Sequence, residues 1–126
     1  MSGFYYVCSP YRSYPGGMDA AFKAAAKFTA RLIDAKVEVY SPILHAHHAA
    51  RYVRLAPPEG DFWLDRQIPF LEAAQGLIIA CMPGWLDSSG IRFERTFNAD
   101  AKKPERLLPV DFALPLPSGI ERGPLP

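Results

Sequence analysis

The sequence predicts an α/β sandwich of three layers, with a mostly parallel sheet of four to five strands between helices. Three observations lead to this prediction. Strand-like and helix-like segments alternate, the clearest strand is apolar throughout, and the chain has 126 residues, which suits one domain. A strand without polar alternation is typical of a central parallel strand covered on both faces. We therefore expect one Rossmann-like or flavodoxin-like domain over residues 1–112 and a proline-rich tail over residues 113–126.

The first half of the chain contains two predicted strands and one long predicted helix. Residues 4–8 combine aromatic side chains with Val and end at a Ser-Pro pair, which predicts a short strand. The Ala-rich residues 18–35 predict a helix, whose apolar stripe is expected at Phe22, Ala26, Thr29 and Ile33. Residues 37–41 predict the second strand, and residues 45–54 a short helix or an ordered loop.

The second half repeats the alternation. Residues 61–74 predict a helix that either kinks at Pro69 or begins later. Residues 76–82 are the apolar strand, and a helix over residues 90–102 follows it, with Ser88 or Ser89 as its N-cap. Residues 106–112 predict an edge strand, because a proline there removes a hydrogen-bond donor from the ladder.

The composition excludes several classes of protein. Apolar residues make up 49% of the chain and charged residues 21%, which excludes global disorder. The net charge of +1 argues against a nucleic-acid partner, and no run approaches the roughly 18 apolar residues of a membrane span. The start of the chain lacks the basic region of a signal peptide. Cys8 and Cys81 lie in apolar runs, so we expect reduced thiols in a cytoplasmic protein, with a disulfide between adjacent strand ends as the alternative.

Polar and aromatic residues concentrate in three loops that follow predicted strands. These loops cover residues 9–14, 41–48 and 83–89. The carboxyl ends of parallel strands meet at one edge of a sheet, and ligands bind outside that edge. The sequence therefore predicts a ligand site there.

The strongest candidate segment begins at Pro83 and ends at Glu94. It leaves the apolar strand and enters a helix at Ser89-Gly90, where free N–H groups and the positive end of the helix dipole suit a phosphate. Glu94 lies about one turn inside the helix on the face of Gly90. The dipole is expected to favour the ionised carboxylate that a nucleophile requires. The alternative is a capped, solvated helix start.

The loop after the first strand is the second candidate. Arg12, Ser13 and the backbone of the two following glycines form a possible cradle for a phosphate or for ribose hydroxyls. The loop matches neither the P-loop nor the dinucleotide fingerprint. The alternative is an ordinary loop with an exposed Arg12.

An acidic residue and a histidine cluster complete the set of candidates. Asp65, near the start of its helix, is placed to protonate or hydrogen-bond a leaving group, or else to complement the helix dipole. His45, His47 and His48 lack the spacing of a zinc site. We expect no metal there, and instead a histidine such as His45 that lines the ligand loop, with at least one of the three on the surface.

Three of these segments, in order, resemble the nucleoside 2-deoxyribosyltransferase superfamily. This group includes nucleoside 5'-monophosphate N-glycosidases and small relatives, and the resemblance covers residues 4–104. Tyr6 lies four residues before Pro10, and Asp65 precedes a helix and an apolar strand. The hallmark segment is Asp87-Ser88-Ser89-Gly90-Ile91-Arg92-Phe93-Glu94.

The departures from the family pattern bear on the substrate. Ser9-Pro10 replaces the more usual Gly-Pro, and Gln75 stands where many members have an Asp. Six residues before the Glu, the transferases tend to carry an Asp that reads the base, and the N-glycosidases a Ser that holds the phosphate. This chain has Ser88 there, which favours a nucleotide, and Asp87 is the base-reading alternative if the loop shifts by one residue.

The resemblance implies a retaining displacement at the sugar C1'. Glu94 would be the nucleophile, Asp65 the proton donor to the base, and Tyr6 the residue that positions Glu94 or the sugar. Tyr11, Trp63 or Trp85 would stack on the base. The other substrate-binding candidates are Ser9, Arg12, His45, Asp87, Ser88, Ser89 and Gly90. No metal or organic cofactor is expected, and the implied assembly is a homodimer or a higher homo-oligomer.

Three other functions stay open. The first is a nucleoside 2-deoxyribosyltransferase that acts on free nucleosides, since transfer and hydrolysis differ only in the acceptor of the sugar. The second is a nucleotide-sensing module of the same fold without turnover. The third is a partner-binding protein that uses the proline-rich residues 113–126 as its ligand segment.

Overall fold

The computed structural model describes residues 3–54 and 62–116. One sheet contains strands β1 (Tyr5–Cys8), β2 (Val39–Tyr40), β3 (Gly76–Cys81) and β4 (Glu105–Pro109). The helices are α1 (Met18–Asp34), α2 (Pro42–Ala46), α3 (Phe62–Ala73) and α4 (Ser89–Asp100), with 3₁₀ turns at Ala49–Arg51 and Trp85–Asp87. The described chain is thus an α/β sandwich around one four-stranded sheet, which confirms the predicted fold class.

All pairings in the sheet are parallel, and the strand order is β2-β1-β3-β4. Cys8 at the end of β1 pairs with Ile79 of β3, and Cys81 at the end of β3 pairs with Pro109 of β4. The loops that leave β1 and β3 therefore lie side by side at the carboxyl edge. β4 is an edge strand, as predicted, and Pro109 is its last residue. A proline is tolerated in an edge strand because it has no N–H to donate to a neighbouring strand.

The sheet separates two apolar clusters. Tyr5 and Val7 of β1 pack on the α1 side, in the cluster that contains Phe28 and Leu32. Tyr6 and Cys8 point to the opposite face and pack in the cluster that contains Leu71 of α3 and Ile91 of α4. Successive side chains of a strand alternate between faces, so four residues of β1 contribute to both layers of the core.

The buried face of α1 differs from the predicted stripe. The buried residues are Ala21, Ala25, Phe28, Thr29 and Leu32, whereas Ile33 is 60% exposed. Phe22, expected in the core, stacks on the ring of His47 with 4.3 Å between ring centroids. The small alanines let the helix approach the sheet closely. Sequence periodicity identifies residues that share a helix face, but it does not decide whether a face with alanines or a face with larger apolar side chains is buried.

One further expectation is corrected at its boundary. β2 has two residues rather than five, because Ser41 already caps α2 through a hydrogen bond from the N–H of Leu44. Phe112, the last residue of the predicted domain, is buried, and Leu116 of the predicted tail packs against the cluster that contains Phe28. The remaining tail, residues 117–126, lies outside the described residues.

The two cysteines are free thiols, as expected; Cys8 is buried and Cys81 is half-buried. In the described part of the chain, no helix combines the length and the apolar character needed to cross a membrane.

Candidate functional site

A cleft of about 540 Å³ opens at the carboxyl edge of the sheet. Its walls come from the loop after β1, from α2, from the first turns of α3, and from the start of α4. The predicted location of the site thus coincides with this cleft, in agreement with the rule that ligands bind outside the carboxyl ends of parallel strands.

The loops after β1 and β3 are joined directly. The Ser13 hydroxyl donates to the carbonyl of Gly84 at 2.8 Å. Gly84 has φ +90°, and a Cβ there would collide with the backbone carbonyl of Ser13. Glycine is therefore required at this position, and the contact holds the two loops together beside the cleft.

Glu94 lies at the floor of the cleft. Its side chain lines the recess although the residue is only 6% exposed. The hydroxyl of Tyr6, from the fully buried middle of β1, donates to Oε2 of Glu94 at 2.5 Å. The predicted pairing of Tyr6 with Glu94 is thus present, across two elements that are far apart in sequence.

Burial changes the acidity of this pair. Removal from water raises the pKa of Glu94 from 4.5 to about 7, although hydrogen bonds from Tyr6 and Cys8 lower it. Burial and the nearby carboxylate also raise the pKa of Tyr6 far above its usual range, so Tyr6 stays a neutral donor. The expectation that the helix dipole would favour ionised Glu94 is therefore corrected: Ser89 begins α4, Glu94 lies beyond its first turn, and the dipole effect fades within that turn.

The start of α4 forms one wall of the cleft. Ser88 is the N-cap of α4, and its Oγ accepts a hydrogen bond from the N–H of Ile91 at 3.1 Å. Asp87, Ser89 and Gly90 line the cleft beside it. Because Ser88 accepts through its oxygen, its hydroxyl proton is still available to a ligand.

The loop after β1 forms another wall, through Ser9, Tyr11, Arg12 and Ser13. Ser9 is 7% exposed, and among the described residues its Oγ has no hydrogen-bond partner. A buried hydroxyl without a partner costs free energy, so Ser9 marks a position where a polar ligand atom would be stabilised.

Besides Tyr6, which is fully buried behind Glu94, three predicted site residues do not line the cleft. Asp65 is exposed on α3, because the helix turns Trp63, Leu64 and Gln67 toward the recess and Asp65 to the opposite side. His45 is exposed for the same reason on α2, where Ile43, Ala46 and His47 face the cleft. Trp85 packs against the cluster around Ile91, with the guanidinium of Arg95 5.8 Å from its ring centroid.

Gln67 is a cleft residue that sequence reasoning missed. It is buried, and its Oε1 accepts a hydrogen bond from the Tyr40 hydroxyl at 2.7 Å. The helical period could have predicted it. Trp63, proposed for stacking, and Gln67 are four residues apart and therefore share one face of the helix.

His47 also lines the cleft and is bonded on both ring nitrogens. Nδ1 lies 2.6 Å from the Tyr11 hydroxyl, and Nε2 lies 3.0 Å from Oδ1 of Asp19. Within residues 3–54 and 62–116, no group of three or more His, Cys, Asp or Glu side chains is arranged to hold a metal ion.

Fold and site together define a parallel α/β protein whose carboxyl-edge cleft contains a buried Glu held by a Tyr. Residues 3–108 match the family model described as a domain of unknown function, DUF1937, and the chain belongs to this family. The match includes every residue that lines the cleft and ends before the tail. No curated protein matches the chain.

Proposed function

We propose that this protein cleaves the N-glycosidic bond of a nucleoside 5'-monophosphate, with Glu94 as the nucleophile. One observation carries the proposal: a carboxyl group, withdrawn from water at the floor of a cleft, accepts a 2.5 Å hydrogen bond from a buried tyrosine. A fixed, poorly hydrated carboxylate is the group that a retaining glycosidase uses to attack C1'.

The mechanism has two steps. Ionised Glu94 attacks C1', the bond to the base breaks, and a glycosyl-enzyme intermediate forms through an oxocarbenium-like transition state. Water then attacks C1' and releases the sugar phosphate. Tyr6 holds Glu94 in place, because its hydroxyl donates to Oε2 of the carboxylate.

The phosphate assignment rests on the wall formed by α4. The free N–H groups at a helix start attract an anion, and the hydroxyls of Ser88 and Ser89 add donors beside them. Arg12, an exposed residue of the loop after β1, adds a positive charge to the lining of the cleft. The carboxylate of Asp87 on the same wall opposes a phosphate, so this assignment needs its own test.

The first experiment is a free-base assay by liquid chromatography. Purified protein is incubated with ribo- and deoxyribonucleosides and their 5'-monophosphates, and Glu94→Gln serves as the control. We expect base release from monophosphates, reduced at least about 1,000-fold in Glu94→Gln, because the amide is nearly isosteric and not nucleophilic. Unchanged release in this variant would remove Glu94 from the mechanism.

The same assay separates the alternatives. Release only when a second base is present would identify a deoxyribosyltransferase. No release, together with thermal stabilisation by one nucleotide, would identify a sensing module. The free thiols of Cys8 and Cys81 suit the reducing cytoplasm, where we propose that the protein acts, as a homodimer or higher oligomer.

Ser88→Asp tests the phosphate assignment without loss of the helix cap. Asp is as good an N-cap as Ser, but its charge would repel a phosphate. We expect kcat/KM for monophosphates to fall about 100-fold and that for nucleosides to change little. Thr96→Asp adds the same charge on the exposed side of α4 and is the matched control. Equal losses for both substrate types would exclude Ser88 as the phosphate contact.

A further inference from the structure

A second polar cluster reaches the cleft from the side of α1 and α2. Asp19 of α1, His47 at the end of α2 and Tyr11 after β1 form a continuous chain of hydrogen bonds. His47 is only 8% exposed, and both it and Tyr11 line the cleft. The proposed displacement by Glu94 does not use this chain.

The neighbours of His47 fix its ring. Phe22 stacks on one face at 4.3 Å, and the rings of Tyr11 and His48 meet it edge-on. The charged groups around it are Asp19, which accepts from Nε2, and Arg51, whose guanidinium lies 3.8 Å from the same carboxylate oxygen. Stacking and bonding at both nitrogens leave the ring no other orientation.

The direction of the hydrogen bonds follows from the donor inventory. A carboxylate only accepts, so Nε2 of His47 carries a proton toward Asp19. When His47 is an imidazolium, Nδ1 also carries a proton and donates it to the oxygen of Tyr11. The hydroxyl proton of Tyr11 is then free to point into the cleft.

Departure of the base in the proposed reaction requires a proton donor in the cleft. Departure of a base as an anion is slow, and Asp65, the expected donor, lies outside the recess. Two carboxyl groups line the cleft among the described residues: Glu94, which the displacement uses, and Asp87, which stands next to the proposed phosphate contact. Tyr11 lines the cleft from the loop after β1, and its hydroxyl takes part in neither of those roles.

We propose that Asp19, His47 and Tyr11 deliver a proton to the departing base. This inference rests on the proposed function. As the bond from C1' to the base nitrogen breaks, its electron pair stays on the base, and that base takes the hydroxyl proton of Tyr11. The oxygen of Tyr11 takes the Nδ1 proton of His47, which becomes neutral, while a carboxylate oxygen of Glu94 bonds to C1'. Solvent returns one proton to His47 after each turnover.

The three residues have different roles in this chain. Tyr11 is the catalytic residue, because its hydroxyl touches the leaving group. His47 supplies the proton, and Asp19 is a positioning residue that accepts from Nε2 and sets the orientation of the ring. Arg51 orients the Asp19 carboxylate from outside the cleft.

The test compares two leaving groups in the full-length protein. One substrate is the monophosphate that the wild type cleaves best, and the other is the 4-nitrophenyl glycoside of the same sugar 5-phosphate. Nitrophenolate departs without added protons, whereas an ordinary base does not. We expect Tyr11→Phe to lower kcat/KM about 100-fold for the nucleotide and less than about threefold for the nitrophenyl compound.

His47→Gln is the second variant. It is expected to lower kcat/KM for the nucleotide but not for the nitrophenyl compound, and it replaces Tyr11→Phe if that variant does not fold. His45→Gln is the matched control, since this exposed histidine of α2 does not line the cleft and its ring contacts are with Tyr40 and Phe70. It is expected to leave both rates unchanged.

The outcomes distinguish this inference from the proposed function. Equal losses for both substrates in Tyr11→Phe and His47→Gln would overturn the proton-delivery role and leave Glu94 as the nucleophile. No cleavage of either substrate by the wild type would overturn the proposed function, and the proton-delivery role with it.

Discussion

At the scale of single residues, Glu94 as the proposed nucleophile would have to meet two opposing requirements. A nucleophile must be ionised, yet burial beside Tyr6 raises the pKa of Glu94 to about 7. Poor hydration makes the ionised carboxylate more reactive, while hydrogen bonds from Tyr6 and Cys8 limit how far its pKa rises. The protein therefore holds this group near the point where half of the molecules are ionised at neutral pH.

The pH dependence of the proposed attack by Glu94 follows from this balance. For the 4-nitrophenyl substrate, which needs no proton donor, we expect kcat/KM to rise with pH and to reach half its plateau near pH 7, because only ionised Glu94 attacks in the proposed mechanism. Tyr6→Phe removes a hydrogen bond that lowers this pKa, so its midpoint should move to higher pH. A pH series on wild type and variant measures both, and a midpoint near pH 4.5 would contradict the burial argument.

Burial of Glu94 also makes the free energy of unfolding depend on pH, and this effect can be measured without a substrate. In the unfolded chain Glu94 ionises near pH 4.5, and in the folded protein near pH 7, so the folded state binds more protons between these values. Stability from this group is complete below pH 4.5 and is lost as pH rises to about 7.

Glu94→Gln abolishes this loss, since the amide does not titrate. We expect the variant to match the wild type near pH 4 and to be more stable at pH 8, by a free energy of unfolding on the order of 3 kcal/mol. Urea denaturation at both pH values measures it. A gain that is the same at pH 4 and pH 8 would contradict the raised pKa.

At the scale of elements, the connection from α3 to β3 depends on one lysine. The Nζ of Lys103 donates to the carbonyls of Leu71, Glu72 and Ala74 at 3.0, 2.7 and 2.6 Å. These carbonyls at the end of α3 lack partners within the helix, and a positive charge there also complements the helix dipole. Lys103 thus ties the segment before β4 to the end of α3.

Lys103→Met should therefore destabilise the protein although it keeps the aliphatic stem. We expect the free energy of unfolding to fall by about 2 kcal/mol, as for loss of hydrogen bonds to a charged group. Chemical denaturation gives the value. Lys102→Met is the matched control on an exposed neighbour, and an equal effect of the two substitutions would exclude the cap as the cause.

At the scale of the whole molecule, the sheet separates the apolar cluster on the α1 side from the layer that contains Glu94. Phe112 packs edge-on against Phe28 at 5.7 Å between ring centroids, and Arg31 lies over its ring at 4.7 Å. These contacts belong to the α1 side, whereas Tyr6 holds Glu94 from the opposite side. Phe112 thus completes the core on this side of the sheet although the family match ends at residue 108.

Phe112→Ala is expected to lower the free energy of unfolding by about 3 kcal/mol, through lost burial and the cavity left behind. Base release by the folded fraction should stay within about twofold, because additive effects hold for distant, unconnected sites. Leu114→Ala, at a largely exposed position, is the control. Loss of activity without loss of stability in Phe112→Ala would contradict this separation.

The sequence by itself determined the order of the elements, the edge of the sheet that contains the site, and Glu94 with its capped helix. Each depends on neighbours along the chain: an apolar run, a serine before a helix, a period of 3.6. Only the tertiary structure decided which side of α3 faces the cleft, and hence that Gln67 rather than Asp65 lines it. It also decided the acidity of Glu94 and the chain from Asp19 to Tyr11. Both arise from contacts between distant segments, and desolvation and hydrogen bonding there depend on how the helices pack on the sheet.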